Sequence, residues 1–237
     1  MKKLFVFLIL FTAVVSAQKK DAEQILEKAK NTFNQVKDYV VDVKIKVDVE
    51  FLKVPQTNAT IYFKQPDKVH VDSDKFAMLP KEGLNFSPLS FLQKKYTAIY
   101  EGEENYKNSK NYVVKIIPLG NDNDIVLTTF WIDQNDYVIR KVESSTKISG
   151  TFKIEMDYAD IDNNYHLPSQ MVFTFNVDKT NIPSTISGDV DPDKRQKKNK
   201  KGEADGFTTT GKVIINYSNY KVNKGISDSI FEVKKKK

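Results

Sequence analysis

The sequence predicts a mainly β fold. A curved antiparallel sheet of about ten strands forms a half-open barrel, with an N-terminal helix and an apolar cover. Three observations carry this. The stretch "YVVDVKIKVDVEFL", residues 39–52, alternates strictly. Tyr39, Val41, Val43, Ile45, Val47, Val49 and Phe51 share one face, and Asp42, Lys44, Lys46, Asp48 and Glu50 the other. That period of two marks a strand with one dry face and one wet face. Segments of the same character then follow one another through short connections, which implies antiparallel pairing. Helical periodicity is clear in one short segment near the start.

In chain order, the first 17 residues stand apart from the fold. "MKK" is a basic n-region, "LFVFLILFTAVV" an apolar stretch, and Val15-Ser16-Ala17 a small-residue cleavage site. The apolar stretch is short for a membrane span. The expectation is an exported chain, cleaved near Ala17 and soluble outside the cytoplasm.

The helix comes next. Ala22, Ile25, Leu26, Ala29, Phe33 and Val36 follow the i, i+3, i+4, i+7 spacing. Asp21 is placed to cap it, with Gln24 three residues on. After the 39–52 strand, "NATIYFK" and "KVHVDS" flank Pro66 as a hairpin. "KYTAIYEG" and "KNYVVKIIPLG" follow. "DIVLTTFWID" and "DYVIRKVESS" are joined by "QN", read as a tight turn. "GTFKIEMDY" places Phe152, Ile154 and Met156 on one face, and "YHLPSQMVFTFNV" does so for Met171, Phe173 and Phe175. "GFTTTGKVIINYSNY" closes the set with Val213, Ile215 and Tyr217 on one face.

Two segments break the alternation. Residues 74–95 carry Phe76, Met78, Leu79, Leu84, Phe86, Leu89 and Phe91 without period, and Ser87-Pro88 reads as the opening of a short helix. Such a segment, with Pro80, Gly83 and Pro88, is adaptable in backbone and side chain, as a lid would need. Residues 178–206 are polar, with Pro183, Gly188 and Pro192, and read as a long mobile hairpin loop. No interdomain linker is visible, so residues 18–233 form one domain and 234–237 a basic tail.

Composition excludes several classes. The chain has no cysteine, so disulfides, thiol catalysis, cysteine metal sites and an acylated N-terminal cysteine are excluded. The formal net charge is +6, and losing Lys2 and Lys3 with the leader leaves +4. Lys194, Arg195, Lys197, Lys198, Lys200 and Lys201 form one run and Lys234 to Lys237 another. These read as solvated segments able to meet anionic headgroups. They lack interleaved aromatics, so nucleic acid is not an expected partner.

A sheet this large with one helix to cover it leaves two architectures. One is a β-sandwich with a solid core, and the other a strongly curved half-barrel around a cavity. Strands of 12–14 residues favour the second.

Four segments then resemble the periplasmic outer-membrane lipoprotein carrier and lipoprotein-sorting proteins, with the LolA-type fold. "VKDYVVDVKIKV" joins a helix to a long strand. "ATIYFKQPDKVHV" is similar to a strand–basic–Pro–turn–strand unit. "FWIDQNDYVIRKVESSTKISGTFKIEMDYADID" is similar to a hairpin opened by tryptophan, a hydrophobic residue and aspartate. "ISDSIFEV" is similar to a closing D-x-x-F strand. The resemblance implies an 11-stranded half-open barrel with a helical lid, holding lipoprotein acyl chains in transit. It implies a periplasmic location and a route from an inner-membrane transporter to an outer-membrane acceptor, with a monomer as the expected state. On this reading Val41, Val43, Ile45, Val47, Val49, Phe51, Ile61, Phe63, Phe152, Ile154, Met156, Phe173, Phe175, Val213 and Ile215 line the cavity. The sequence departs from the pattern at the latch. Many members carry arginine before the hairpin proline and a second one after it, where this chain has Gln65 and His70. An uncharged amide would hold a lid more weakly.

Burying one CH₂ is worth about 0.8 kcal/mol, so a 16-carbon chain is worth roughly 12 kcal/mol gross. A carrier that must release such cargo needs a competitor for the cavity, and the lid side chains are the expected one.

No catalytic constellation, cofactor motif or metal motif stands out, and an enzyme is not expected. His70 and His166 lie in no catalytic pattern. "DYADIDNNYHLP" lacks the glycine and glutamate spacing of an EF-hand. Trp131 reads as sheet packing. Two rivals to the carrier remain: a lipid-sensing regulatory domain of the same fold, and a solid-core surface protein without ligand.

Overall fold

The computed structural model describes residues 21–49, 54–73, 91–93, 95–120, 124–147, 150–162, 164–178 and 208–232. Helix α1 spans Ala22–Asn34. Asp21 caps it by accepting from the Glu23 N–H at 3.0 Å. Ala22, Ile25, Leu26 and Ala29 are its buried stripe. Val36 is buried too, but it lies beyond the helix, in a small separate cluster with Leu167 and Val222. The helical stripe therefore ends earlier than its spacing predicts.

Among the described residues ten strands follow: β1 Asp38–Asp48, β2 Thr57–Lys64, β3 Lys68–Asp72, β4 Tyr96–Tyr106, β5 Ser109–Pro118, β6 Ile125–Asp133, β7 Ile139–Thr146, β8 Thr151–Ile161, β9 Tyr165–Asp178 and β10 Thr208–Val222. They form one antiparallel sheet in the order β3-β2-β1-β10-β9-β8-β7-β6-β5-β4. The sheet does not split, so the sandwich alternative is set aside. It is open and curved, with β3 and β4 as its edges and α1 against its concave face.

Register makes the concave face continuous. Val47 faces Val213, which faces Phe173. Phe173 faces Ile154, which faces Val142, then Phe130, Val114 and Tyr100. One apolar row thus crosses eight strands, because every pair keeps its inward residues in phase.

Helix α1 crosses this face from one edge region to the other. Near its start the Tyr96 hydroxyl of β4 donates to Glu23 at 3.3 Å and accepts from Lys30 at 3.3 Å. Midway, Lys28 donates to the Tyr137 hydroxyl and Thr32 to the Asp136 carbonyl. At its end, Phe33 packs edge-on against Phe63 of β2, with ring centroids 5.5 Å apart.

Several details differ from the sequence reading. β1 runs to Asp48, with Val49 in a bridge; Phe51 lies outside the described residues. "QN" is not a two-residue turn, because β6 ends at Asp133 and β7 begins at Ile139, with Tyr137 at φ 55°. The two-residue hairpin is instead Lys107-Asn108, at φ 47° and 64°, the pair of positive angles that matches strand twist. That hairpin tip folds over the outer face. Lys107 pairs with Asp157 at 2.7 Å, and the Tyr106 hydroxyl donates to Glu155. Beneath it Trp131 donates to Glu104 at 2.7 Å and lies under the Lys141 ammonium. This cover explains why residues 128–133 are buried on both faces.

Candidate functional site

The concave face gathers most of the residues expected to line a cavity. Val41, Val43, Ile45, Val47, Val49, Ile61, Phe63, Ile154, Met156, Val213 and Ile215 are buried there. Phe152, Phe173 and Phe175 also pack on it but keep part of their surface accessible. Their rings form a ladder, with centroids 5.6 Å apart for Phe152 and Phe173 and 5.0 Å for Phe173 and Phe175.

The wall is wider than the sequence reading proposed. Val114, Ile116, Phe130, Ile132 and Val142 belong to the same cluster and are at most 0% exposed. Their signal was masked. β6 is apolar on both faces, and "VVKIIP" in β5 reads equally well in either phase. Tyr39, Tyr217 and Tyr220 also line it. Tyr217 and Tyr220 are three apart, an odd spacing for one face of a strand. Tyr217 keeps the phase of Val213 and Ile215, and the bulge opposite Val40 and Asp42, with Asn219 at φ 57°, turns Tyr220 inward as well.

Of the lid residues, Phe91 is described and packs against Phe130 and Phe152, with centroids 6.1 and 6.3 Å away. Phe76, Met78, Leu79, Leu84, Phe86 and Leu89 lie outside the described residues, as do the leader, the 179–207 segment and the basic runs. The two latch residues part company. Gln65 spends both amide hydrogens on the end of α1, donating to the Asn34 carbonyl at 3.1 Å and the Val36 carbonyl at 2.8 Å. His70 stands on the outer face of β3 beside Tyr62, while its neighbours Val69 and Val71 face inward. Its imidazole therefore points away from the concave side.

One end of the face is tied by polar groups. Asn223 accepts from the Lys37 N–H at 2.7 Å and the Asp38 N–H at 3.3 Å. It donates to the Gln35 carbonyl and the Tyr165 hydroxyl, each at 3.0 Å. The Asp38 carboxylate accepts from the Lys224 and Gly225 N–H groups. Beyond this, Asp228 accepts from Lys64 and Lys68 at 2.9 Å each, which holds its carboxyl down to about 2. The D-x-x-F segment so clamps the β2–β3 turn.

The electrostatics of the wall suit neutral contents. Burial pushes the Tyr39 phenol up to about 12. Burial also raises Tyr217 and Tyr220, reinforced by neighbouring tyrosines. Tyr158 is raised by burial despite Arg140 nearby. The ionised groups lie elsewhere. Burial would raise Asp133, but bonds from the Asn135 N–H, Ser109 and Arg140 bring it below its ordinary value. His166 pairs with Asp160 at 2.6 Å, at the edge of a cleft of about 70 Å³ between α1 and the sheet. That cleft is lined by Ala29, Phe33, Met156, Tyr158 and Leu167 among others. A larger depression of about 580 Å³ lies around Asp42, Lys44, Asn58, Thr60 and Asp72, and its polar lining is unsuited to acyl chains. Among the described residues, no group of three or more His, Cys, Asp or Glu could hold a metal ion.

This arrangement defines a half-open β-barrel with an apolar concave face, crossed by one helix. The fold is LolA-type. Similar solved structures include a DUF1329 family protein from Desulfovibrio piger, with 13% identity and a TM-score of 0.57, over 90% of this chain and 97% of that one. A LolA superfamily protein from Nitrosomonas europaea has 13% identity and a TM-score of 0.55, over 89% and 97%. An outer membrane lipoprotein-sorting protein domain from Vibrio parahaemolyticus has 14% identity and a TM-score of 0.50, over 89% and 97%. At such identities the likeness is one of fold. No family model and no curated protein sequence matches the chain.

Proposed function

We propose that this chain is an exported, non-catalytic carrier that holds the acyl chains of lipoproteins or other lipids against its concave face. The observation that carries this reading is the continuous apolar concave face, on which Phe152, Phe173 and Phe175 keep part of their surface accessible. Aliphatic and aromatic walls with neutral phenols recognise tails by area and not by charge. Support also comes from the shared fold with a protein described as an outer membrane lipoprotein-sorting domain. In this reading residues 1–17 direct export to the periplasm. Cargo passes from an inner-membrane transporter to an outer-membrane acceptor. The lid side chains re-enter the cavity as cargo leaves, so net affinity is a difference between two apolar contacts.

The test is photo-crosslinking from position 173 in the exporting cell, followed by mass spectrometry. Phe173 is preferred over Val47, because Val47 is 8% exposed whereas Phe173 keeps part of its surface accessible. Adducts with acylated proteins are expected. Adducts with free lipid would keep the cavity and change the cargo. A folded protein with no adduct would refute acyl binding.

A further inference from the structure

Among the described residues, the large hydrophobic side chains that stay exposed are Ile99, Ile117, Leu119 and Val126, at 41, 40, 52 and 49%. The first three are not scattered. Ile117 faces Thr97 two residues before Ile99, and the Leu119 N–H donates to the Lys95 carbonyl. Val126 lies two residues before Thr128, which faces Ile116. Ile99, Ile117 and Leu119 therefore share the outer face at one end of the β4–β5 hairpin, whereas Val126 stands beside an irregularity in the β6–β7 register, in phase with Thr128 and the inward Ile116. That end of the hairpin is the end of the aromatic ladder, since Thr128 faces Ser144 and Ser144 faces Phe152.

Lysines stand beside the patch. Lys115 is opposite Ile99, Lys95 is opposite Leu119, and the Lys147 N–H donates to the Asp124 carbonyl next to the start of β6. Against them stand Glu101, paired with Lys115 at 3.0 Å, and Asp124. Among the described residues the local balance is positive by one charge.

We propose that this corner is a membrane-docking surface that inserts shallowly among anionic lipid headgroups, rests on the carrier reading above, and brings the aromatic end of the cavity to the bilayer. Area favours lipid over a protein partner. Three half-exposed side chains offer on the order of 200 Å². A stable protein interface needs about 800 Å² per partner. A few apolar anchors with flanking lysines suffice for reversible attachment to an interface.

The experiment is sedimentation of the full mature chain with vesicles of phosphatidylglycerol and phosphatidylethanolamine. Wild type is compared with the combined variant Ile99→Thr, Ile117→Thr and Leu119→Thr. Threonine keeps strand propensity at outward positions. Vesicle partition is expected to fall about ten-fold or more, with unchanged circular dichroism and unchanged affinity for a soluble fluorescent fatty acid. A second variant, Leu119→Thr alone, should give a smaller loss in the same direction. Equal partition of wild type and the combined variant would overturn the docking surface. So would transfer that depends on these residues only when an acceptor protein is present. Loss of fatty-acid binding by wild type would instead refute the carrier reading and leave the vesicle result to stand alone.

Discussion

The two ends of the concave face are built on opposite principles. Where α1 runs into β1 and β10 runs out, the chain is tied by directional bonds. Asn223 makes four, Gln65 two, and Asp38 collects the N–H groups of Lys224 and Gly225. At the far end of β8, β9 and β10 the contacts are rings: Phe152, Phe173 and Phe175, with Phe91 against them. Between the ends lies solid packing around Phe130, Ile154 and Ile215. Hydrogen bonds fail abruptly when their geometry is lost, whereas ring contacts weaken gradually and can be exchanged for other apolar atoms. The difference teaches how one sheet can be rigid where its closure is set and yielding where cargo would enter.

The sharpest way to separate packing from binding is to truncate one phenylalanine of each kind. Phe130→Ala, at a fully buried site, is expected to cost about 3–5 kcal/mol of stability. Phe173→Ala, at a partly accessible site, is expected to cost only about 1–2 kcal/mol while weakening fatty-acid binding about ten-fold. Urea unfolding and fluorescent-probe titration measure both. Equal stability losses would erase the distinction between packed centre and yielding end.

The polar end is probed by Asn223→Ala. It removes four hydrogen bonds and leaves a residue with a Cβ at φ 53° without the local bonds that asparagine offers there. A loss of about 2–3 kcal/mol is expected, with probe affinity per folded molecule unchanged. A loss below about 0.5 kcal/mol would show that the knot does not set the closure.

The smallest effect is a pH dependence. Tyr39 stacks on Phe63 and is raised to about 12 in the folded protein. Because the folded value lies above the unfolded one near 10, its contribution is fully present below that pH. It is then lost as pH rises toward about 12. The expected decline is about 2 kcal/mol across that window. Tyr39→Phe should flatten the slope of urea midpoint against pH, and tyrosinate absorbance should show one fewer late titration.

Much of this molecule was legible before any coordinates. The alternation of Val41 through Val49 determined which side of β1 is dry, because side chains on a strand change face at every residue. The spacing of Ile25, Leu26 and Ala29 determined the helix, and the short connections determined antiparallel order. Three things needed the tertiary structure. The inward ring of Tyr220 depends on a bulge, which shifts phase by one residue without a mark in the local pattern. The burial of Trp131 depends on a hairpin tip arriving from β4 and β5. The role of Gln65 depends on where the end of α1 comes to rest. In each case the deciding contact joins residues far apart in the chain, and local period carries no information about such meetings.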